Sequence, residues 1–126
     1  MPEMLRELWD EVAGASAPPE ACLVNYYGAG ARMGLHRDRD EEDFSVPLVS
    51  VSLGDTALFR IGGLKRKDPT RSFELKSGDV LVLGGDARLA YHGVDRIKPG
   101  SSGLLAGAFP GGGRINLTLR RVTRVR

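Results

Sequence analysis

Residues 114–120 read Arg114-Ile115-Asn116-Leu117-Thr118-Leu119-Arg120. Successive side chains of a strand point to opposite faces. Arg114, Asn116, Thr118 and Arg120 therefore share one face, and Ile115, Leu117 and Leu119 share the other. An ordinary half-exposed strand with its polar face in water has this pattern. So does a strand whose polar face lines the mouth of a barrel. There the arginines and the amide would hold a dicarboxylate, because guanidinium groups grip carboxylates through paired, charge-assisted hydrogen bonds.

The alternation continues to Val122, and similar segments lie upstream. Residues Cys22 to Tyr27 read as a strand. From Pro47 to Leu53, Val49, Val51 and Leu53 fall on one side and Ser50 and Ser52 on the other. Strands are also predicted over Thr56 to Ile61, Ser72 to Leu75 and the apolar run Val80 to Leu83, which reads as core rather than interface. Glycine-rich or polar turns separate them: Gly28-Ala29-Gly30, Gly62-Gly63, Ser77-Gly78-Asp79, Gly84-Gly85 and Gly111-Gly112-Gly113. Many short strands at such spacing predict a mainly β fold, as a sandwich, barrel or jelly roll. Ahead of them, Pro2 to Gly14 reads as one amphipathic helix with Met4, Leu5, Leu8, Trp9 and Val12 on its apolar face. That stripe makes Trp9 a core residue. Ala17-Pro18-Pro19 is a short linker. The expected organisation is a helix and linker over residues 1–20 and one β domain over residues 21–126.

With 126 residues, 41% hydrophobic and 27% charged, the chain suits one soluble globular domain. No apolar run is long enough to span a bilayer, and Met1 to Glu7 lacks the layout of a secretory signal. The single cysteine, Cys22, permits no intrachain disulfide, which fits a reducing cytoplasm. A monomer is expected. The net charge of +2 is weakly informative, but its distribution is uneven. Asp38 to Asp43 is almost wholly acidic. Lys65-Arg66-Lys67 with Arg71 is basic, as are the last residues, which include Arg121, Arg124 and Arg126. Basic segments attract phosphates; read alone, such charge runs are solvated surface.

His36 and His92 are the only histidines. His36-Arg37-Asp38 places an imidazole and a carboxylate on one side of an extended backbone. Together with His92 they make a set of two histidines and one carboxylate. Such a set leaves room on a metal for a cosubstrate and oxygen, as non-haem iron(II) oxygenases require. Closed structural zinc would need a fourth protein ligand. Taken alone, the His36-Arg37-Asp38 triplet reads as a surface turn.

Assembled, these segments resemble the AlkB family of DNA and RNA dealkylating dioxygenases. The likeness runs from Ala21 to about Val122. It is carried by Cys22 to Tyr27, Leu35-His36-Arg37-Asp38-Arg39-Asp40-Glu41, Val49 to Gly54, Gly62-Gly63-Leu64-Lys65-Arg66 with Asp68-Pro69, Ser77 to Val80, Tyr91-His92-Gly93 and Arg114 to Arg120. The resemblance implies a double-stranded β-helix, a form of jelly roll, with iron(II) at one end. It implies His36, Asp38 and His92 as iron ligands and Arg114 as partner of the distal carboxylate of 2-oxoglutarate. Asn25 and Tyr27 would bind the cosubstrate from an early strand, with Asn116 nearby and Arg120 near its metal-bound end. Asp40 would lie close to the target base, and Arg66 would reach the nucleic acid. The implied reaction uses oxygen to remove alkyl groups from bases such as 1-methyladenine and 3-methylcytosine, releasing aldehyde, succinate and carbon dioxide. A base inside a duplex must be flipped out, or the strand must be single.

The sequence departs from that family at three places. It has almost nothing upstream of the jelly roll, where the family's base-recognition lid lies. Leu83 stands where bacterial relatives often carry a tryptophan. Phe109-Pro110-Gly111-Gly112-Gly113 looks longer and more flexible than usual, and able to move as substrate arrives. Tyr26 alternates with Tyr27 and points away from the cosubstrate side. Other readings are the same cofactor chemistry on RNA, protein or a small molecule, a damage-binding module without iron, and, more remotely, a cupin-like structural domain.

Overall fold

The strand over residues 114–120 forms, but its polar face turns inward instead of toward water. The computed structural model describes residues 1–14, 17–39 and 41–123. A helix, α1 (Glu3–Val12), is followed by eight strands: β1 (Ala21–Tyr27), β2 (Met33–His36), β3 (Leu48–Gly54), β4 (Ala57–Ile61), β5 (Arg71–Leu75), β6 (Val80–Leu83), β7 (His92–Ile97) and β8 (Arg114–Arg120). A 3₁₀ turn over Gly85–Ala87 lies between β6 and β7. The strands pair antiparallel in two four-stranded sheets, ordered β1-β8-β3-β6 and β2-β7-β4-β5. This is the expected jelly roll. No helix among the described residues is long and apolar enough to cross a membrane.

The first sheet owes its two-sided character to its alternating sequences. Register places Tyr27 beside Arg114 and Asn25 beside Asn116 across β1 and β8. It places Ser50 beside Thr118 across β3 and β8. These polar rows face the second sheet. The opposite rows face outward, and α1 covers the part around Val49 and Leu119, leaving Val24 and Tyr26 exposed. Trp9 is fully buried there with Val46, Val49 and Leu119, flanked by Leu5, Leu8, Ala13 and Cys22. Truncating a buried tryptophan typically costs about 3–5 kcal/mol, so this contact is a main anchor of the helix. Between the sheets, Tyr27, Ala57, Phe59, Leu75, Val94 and Ile97 form a second apolar cluster.

Several expectations need correction. The helix is shorter than Pro2 to Gly14, and its buried stripe centres on Trp9, with Leu5 and Ala13 one turn to either side. Met4 lies off that stripe and is 77% exposed, and Val12 is at its open edge. Strand β8 stops at Arg120, short of Val122. The strands β2 and β7 have no counterpart in the sequence reading. In β7, Val94 and Ile97 are both buried although three residues apart, because the register shifts where β7 meets β4. A bulge of that kind hides the two-residue period. The run Val80 to Leu83 is not wholly core. Leu81 and Leu83 face the interior, while Val80 and Val82 are partly exposed on the outer face of an edge strand.

The glycine-rich segment before β8 is tied down rather than free. Tyr26 stacks on Phe109, with ring centroids 4.5 Å apart, and its hydroxyl donates to the Gly112 carbonyl at 2.6 Å. The buried Asp55 carboxylate accepts from the backbone N–H groups of Gly100, Ser102 and Gly113. Gly113 has φ of +119°, and a Cβ there would lie 2.6 Å from the Tyr26 hydroxyl. Only glycine fits this approach, and it sets the position of Arg114 next to it.

Candidate metal and cosubstrate site

His36 ends β2 and His92 begins β7, and the antiparallel register places them opposite one another. Their ring centroids are 4.5 Å apart. Gly93 makes the close strand approach possible, since a Cβ there would lie 2.6 Å from the Met33 carbonyl oxygen. Asp38 follows β2 and returns its carboxylate to the same point. One ligating atom from each of His36, Asp38 and His92 lies within 4.8 Å of the others.

The hydrogen bonds around the rings select the ligating atoms. Nδ1 of His36 lies 2.9 Å from the Gly34 carbonyl oxygen, and Nδ1 of His92 lies 3.0 Å from that of Ala90. With Nδ1–H donating to a carbonyl, each neutral ring keeps its Nε2 lone pair for a metal. His92 Nε2 then faces Asp38 Oδ2 at 3.3 Å. A proton between them makes a hydrogen bond, and a metal ion would take that proton's place. The hydrogen bond to His92 is the largest cause holding Asp38's carboxyl below its ordinary range, with the charges of His92, Arg120 and His36 adding to it against burial. The ionised carboxylate is therefore favoured over the acid.

The cluster opens on a pocket between the sheets. Its polar lining comes from the inward rows of the first sheet: Asn25 and Tyr27 on β1, Ser50 on β3, and Arg114, Asn116, Thr118 and Arg120 on β8. Leu83 also lines it. Arg114 is 1% exposed, yet among the described residues its Nε and Nη1 have no hydrogen-bond partner, and its Nη2 reaches only the Asn116 amide oxygen at 3.4 Å. Burial pushes its pKa down, while Tyr27 and Asp79 oppose that shift. Burial also raises the Tyr27 phenol, which Arg114 counteracts. A buried guanidinium with unused donors is costly unless an anion meets it. The lining offers a short polar chain as well: Ser50 donates to Asn116 Oδ1 at 2.5 Å, and Asn116 Nδ2 donates to Thr118 at 2.8 Å. The Tyr27 hydroxyl has only a long contact, 3.8 Å, to the Met33 sulfur. At the metal end, Arg120 lies 3.8 Å from Asp38 Oδ1 and 3.6 Å from Glu41 Oε1.

Residues 1–120 match the family described as the 2OG-Fe(II) oxygenase superfamily. The chain belongs to that superfamily. A relative from Caulobacter vibrioides, named alpha-ketoglutarate-dependent dioxygenase AlkB homolog, is 64% identical over 121 residues, covering 96% of this chain and 53% of its own length. The Escherichia coli protein named alpha-ketoglutarate-dependent dioxygenase AlkB is 44% identical over 125 residues, covering 96% of this chain and 56% of its own. The chain spans about half the length of these curated relatives. A solved structure of OsALKBH1 superposes with a TM-score of 0.82 at 38% identity, covering 96% of this chain and 66% of that one. The resemblance to AlkB dioxygenases is thus borne out, and so are the superfamily's iron(II) and 2-oxoglutarate as the cofactor set. The residues present fit that set. Two imidazoles whose Nδ1 atoms face carbonyls and a carboxylate with lowered pKa suit iron(II), and a buried arginine with unused donors suits a dicarboxylate.

Of the residues singled out in the sequence, His36, Asp38, His92, Asn25, Tyr27, Arg114, Asn116 and Arg120 all line this one pocket. Asp40 lies outside the described residues, as do Arg124 and Arg126. Arg66 does not line the pocket. Its Nη1 donates to the Leu35 carbonyl at 2.8 Å, and its guanidinium sits 4.8 Å from the Tyr91 ring centre. Arg37 lies 5.2 Å from the same ring. Both arginines therefore stack on Tyr91, the chain neighbour of His92, and neither lines the pocket. Sequence reasoning missed Ser50 as a pocket residue, although its alternation with Val49 and Val51 carried the signal. It also read the acidic run Asp38 to Asp43 as solvated surface, whereas Glu41 is 5% exposed and paired with the buried Arg88. That pairing joins residues 47 apart in sequence, and no local pattern announces it.

Proposed function

We propose that this chain is the catalytic core of an iron(II)- and 2-oxoglutarate-dependent dioxygenase that removes alkyl groups from nucleic-acid bases. One observation carries the reading: a cluster of two histidines and one aspartate opens on a pocket whose far side holds a buried arginine with no anionic partner among the described residues. His36, Asp38 and His92 hold the metal through His Nε2 atoms and the Asp38 carboxylate. Arg114, with the Tyr27 hydroxyl beside it, takes the distal carboxylate of the cosubstrate. Asn25, Asn116 and Arg120 orient its other end. When bound, iron with 2-oxoglutarate and oxygen supplies oxidation of the alkyl carbon, so that one oxygen atom leaves in succinate and the alkyl group leaves as an aldehyde.

The rest falls to the chain. The apolar cluster around Phe59 and Val94 excludes water from the inner pocket. The Gly34 and Ala90 carbonyls keep each Nδ1 protonated, so Nε2 stays a lone-pair donor. The AlkB resemblance supports an alkylated nucleic acid as substrate, in single-stranded or flipped-base form. Arg37 and Arg66, stacked on Tyr91, supply positive charge for its phosphates, and Asp40 supplies a carboxylate for a cationic alkylated base.

Formaldehyde release tests the substrate class. Loaded protein is offered single-stranded DNA and RNA oligonucleotides carrying 1-methyladenine, the same DNA in duplex form, and unmodified controls. Release from alkylated oligonucleotides only is expected, with single strands favoured. No release from any alkylated strand, while 2-oxoglutarate is still consumed, would remove nucleic acid as the substrate and leave the cofactor chemistry standing.

A further inference from the structure

Arg88 follows the 3₁₀ turn Gly85–Ala87 and is buried at 2% exposure, far from any role discussed above. Its three donor nitrogens are all committed. Nε donates to the Val46 carbonyl at 2.9 Å, Nη2 to Glu41 Oε1 at 2.8 Å, and Nη1 to the carbonyl of Asp38 itself at 2.6 Å. The same Glu41 oxygen faces Arg120, which in turn faces the Asp38 carboxylate. A closed circuit of alternating charge results, running Asp38 carbonyl, Arg88, Glu41, Arg120, Asp38 carboxylate.

We propose that Arg88 and Glu41 are positioning residues that fix the metal-ligating carboxylate of Asp38 from two directions, by its backbone through Arg88 and by its side chain through Arg120. The inference rests on the reading of His36, Asp38 and His92 as the metal site.

A buried ion pair is a poor means of stabilising a fold, since desolvation offsets much of its attraction. Its persistence here calls for another reason, and its bonds lead to a ligand. Asp38 lies in a loop beyond the end of β2, where no strand ladder fixes its backbone. Without Arg88 that carbonyl loses its bond. Glu41, whose Oε2 already has no partner among the described residues, would then draw Arg120 toward itself and away from Asp38. Groups that orient metal ligands from behind typically change metal affinity by about 10–100-fold when removed.

The test is titration of the metal-free protein with cobalt(II), read by its visible ligand-field absorption, alongside thermal melts of each metal-free form. Glu41→Gln keeps the side chain's shape and removes its charge. Arg88→Lys keeps the charge and loses the fork of bonds. At a temperature where circular dichroism shows each variant folded, both are expected to bind cobalt(II) about 10–100-fold more weakly than the parent, with an altered spectrum. Variants that melt lower but keep the parent's affinity and spectrum would overturn the proposal and leave Arg88 a structural residue. Should Arg88→Lys not fold, Glu41→Gln decides alone. His36→Ala is the control. Uptake in that variant equal to the parent's, or no uptake by the parent, would overturn the metal-site reading and the inference with it.

Discussion

At the scale of single residues, the site is defined by what each polar group lacks. Among the described residues Arg114 has buried donors without partners, and His92 Nε2 faces the Asp38 carboxylate at 3.3 Å. An anion would meet the first group, and a metal ion would fit the second. Arg114 therefore makes a sharp prediction. Hydrogen bonds to charged groups contribute about 1.5–3 kcal/mol each, so Arg114→Lys, which loses the fork, should raise KM for 2-oxoglutarate by about ten- to a hundredfold. Cobalt(II) affinity without cosubstrate should be unchanged, because Arg114 is not in contact with the cluster. An unaltered KM in folded Arg114→Lys protein would remove the arginine from cosubstrate binding.

At the scale of elements, alternation made β3 and β8 readable, and the polar row of β8 led to Arg114, Asn116 and Arg120, while Asn25 and Tyr27 on β1 came from the resemblance alone. The second sheet was less legible. Met33 to His36 is short and contains a glycine, and β7 conceals its period behind a bulge. The histidines were visible because they are the only ones; their direct pairing across β2 and β7 was not. Long-range ion pairs such as that of Arg88 and Glu41 leave no mark on local pattern.

The join between β1 and the end of β8 offers a test at the same scale. Just before β1, Glu20 accepts hydrogen bonds from the backbone N–H groups of Val122 and Thr123 and from the Thr123 hydroxyl. These bonds, with Thr123's backbone N–H foremost, hold its pKa below the ordinary glutamate value. A depressed folded pKa means a contribution present above the unfolded value of about 4.3 and lost as pH falls through the lower folded one. Glu20→Gln should therefore lower the urea midpoint at pH 7, with the gap from the parent closing as pH falls below about 4. A gap that persists unchanged in acid would show that the carboxylate's charge is not what ties the two ends. Because Glu20 is exposed, the effect is small.

At the scale of the whole molecule, the two halves of the site sit on different sheets. The metal cluster belongs to β2, β7 and the loop after β2, while Arg114 and its neighbours belong to β1 and β8. A cosubstrate that touches both would bridge the sheets. Binding to the folded state alone stabilises it by about 2.7 kcal/mol at a hundred times Kd. Under anaerobic conditions, manganese(II) should therefore raise the melting temperature, and 2-oxoglutarate should raise it further only when the metal is present. An equal rise with 2-oxoglutarate in metal-free protein would argue that the dicarboxylate binds Arg114 without spanning the site.

The central claim is that His36, Asp38 and His92 make a working iron centre in this chain. The most direct measurement is succinate formed from 2-oxoglutarate by protein supplied with iron(II), ascorbate and oxygen, compared with His36→Ala and His92→Ala variants shown to be folded. The account predicts succinate from the parent that requires both iron and oxygen, and a loss to background in each variant. Succinate undiminished in either variant, or none from folded, iron-loaded parent protein, would contradict it.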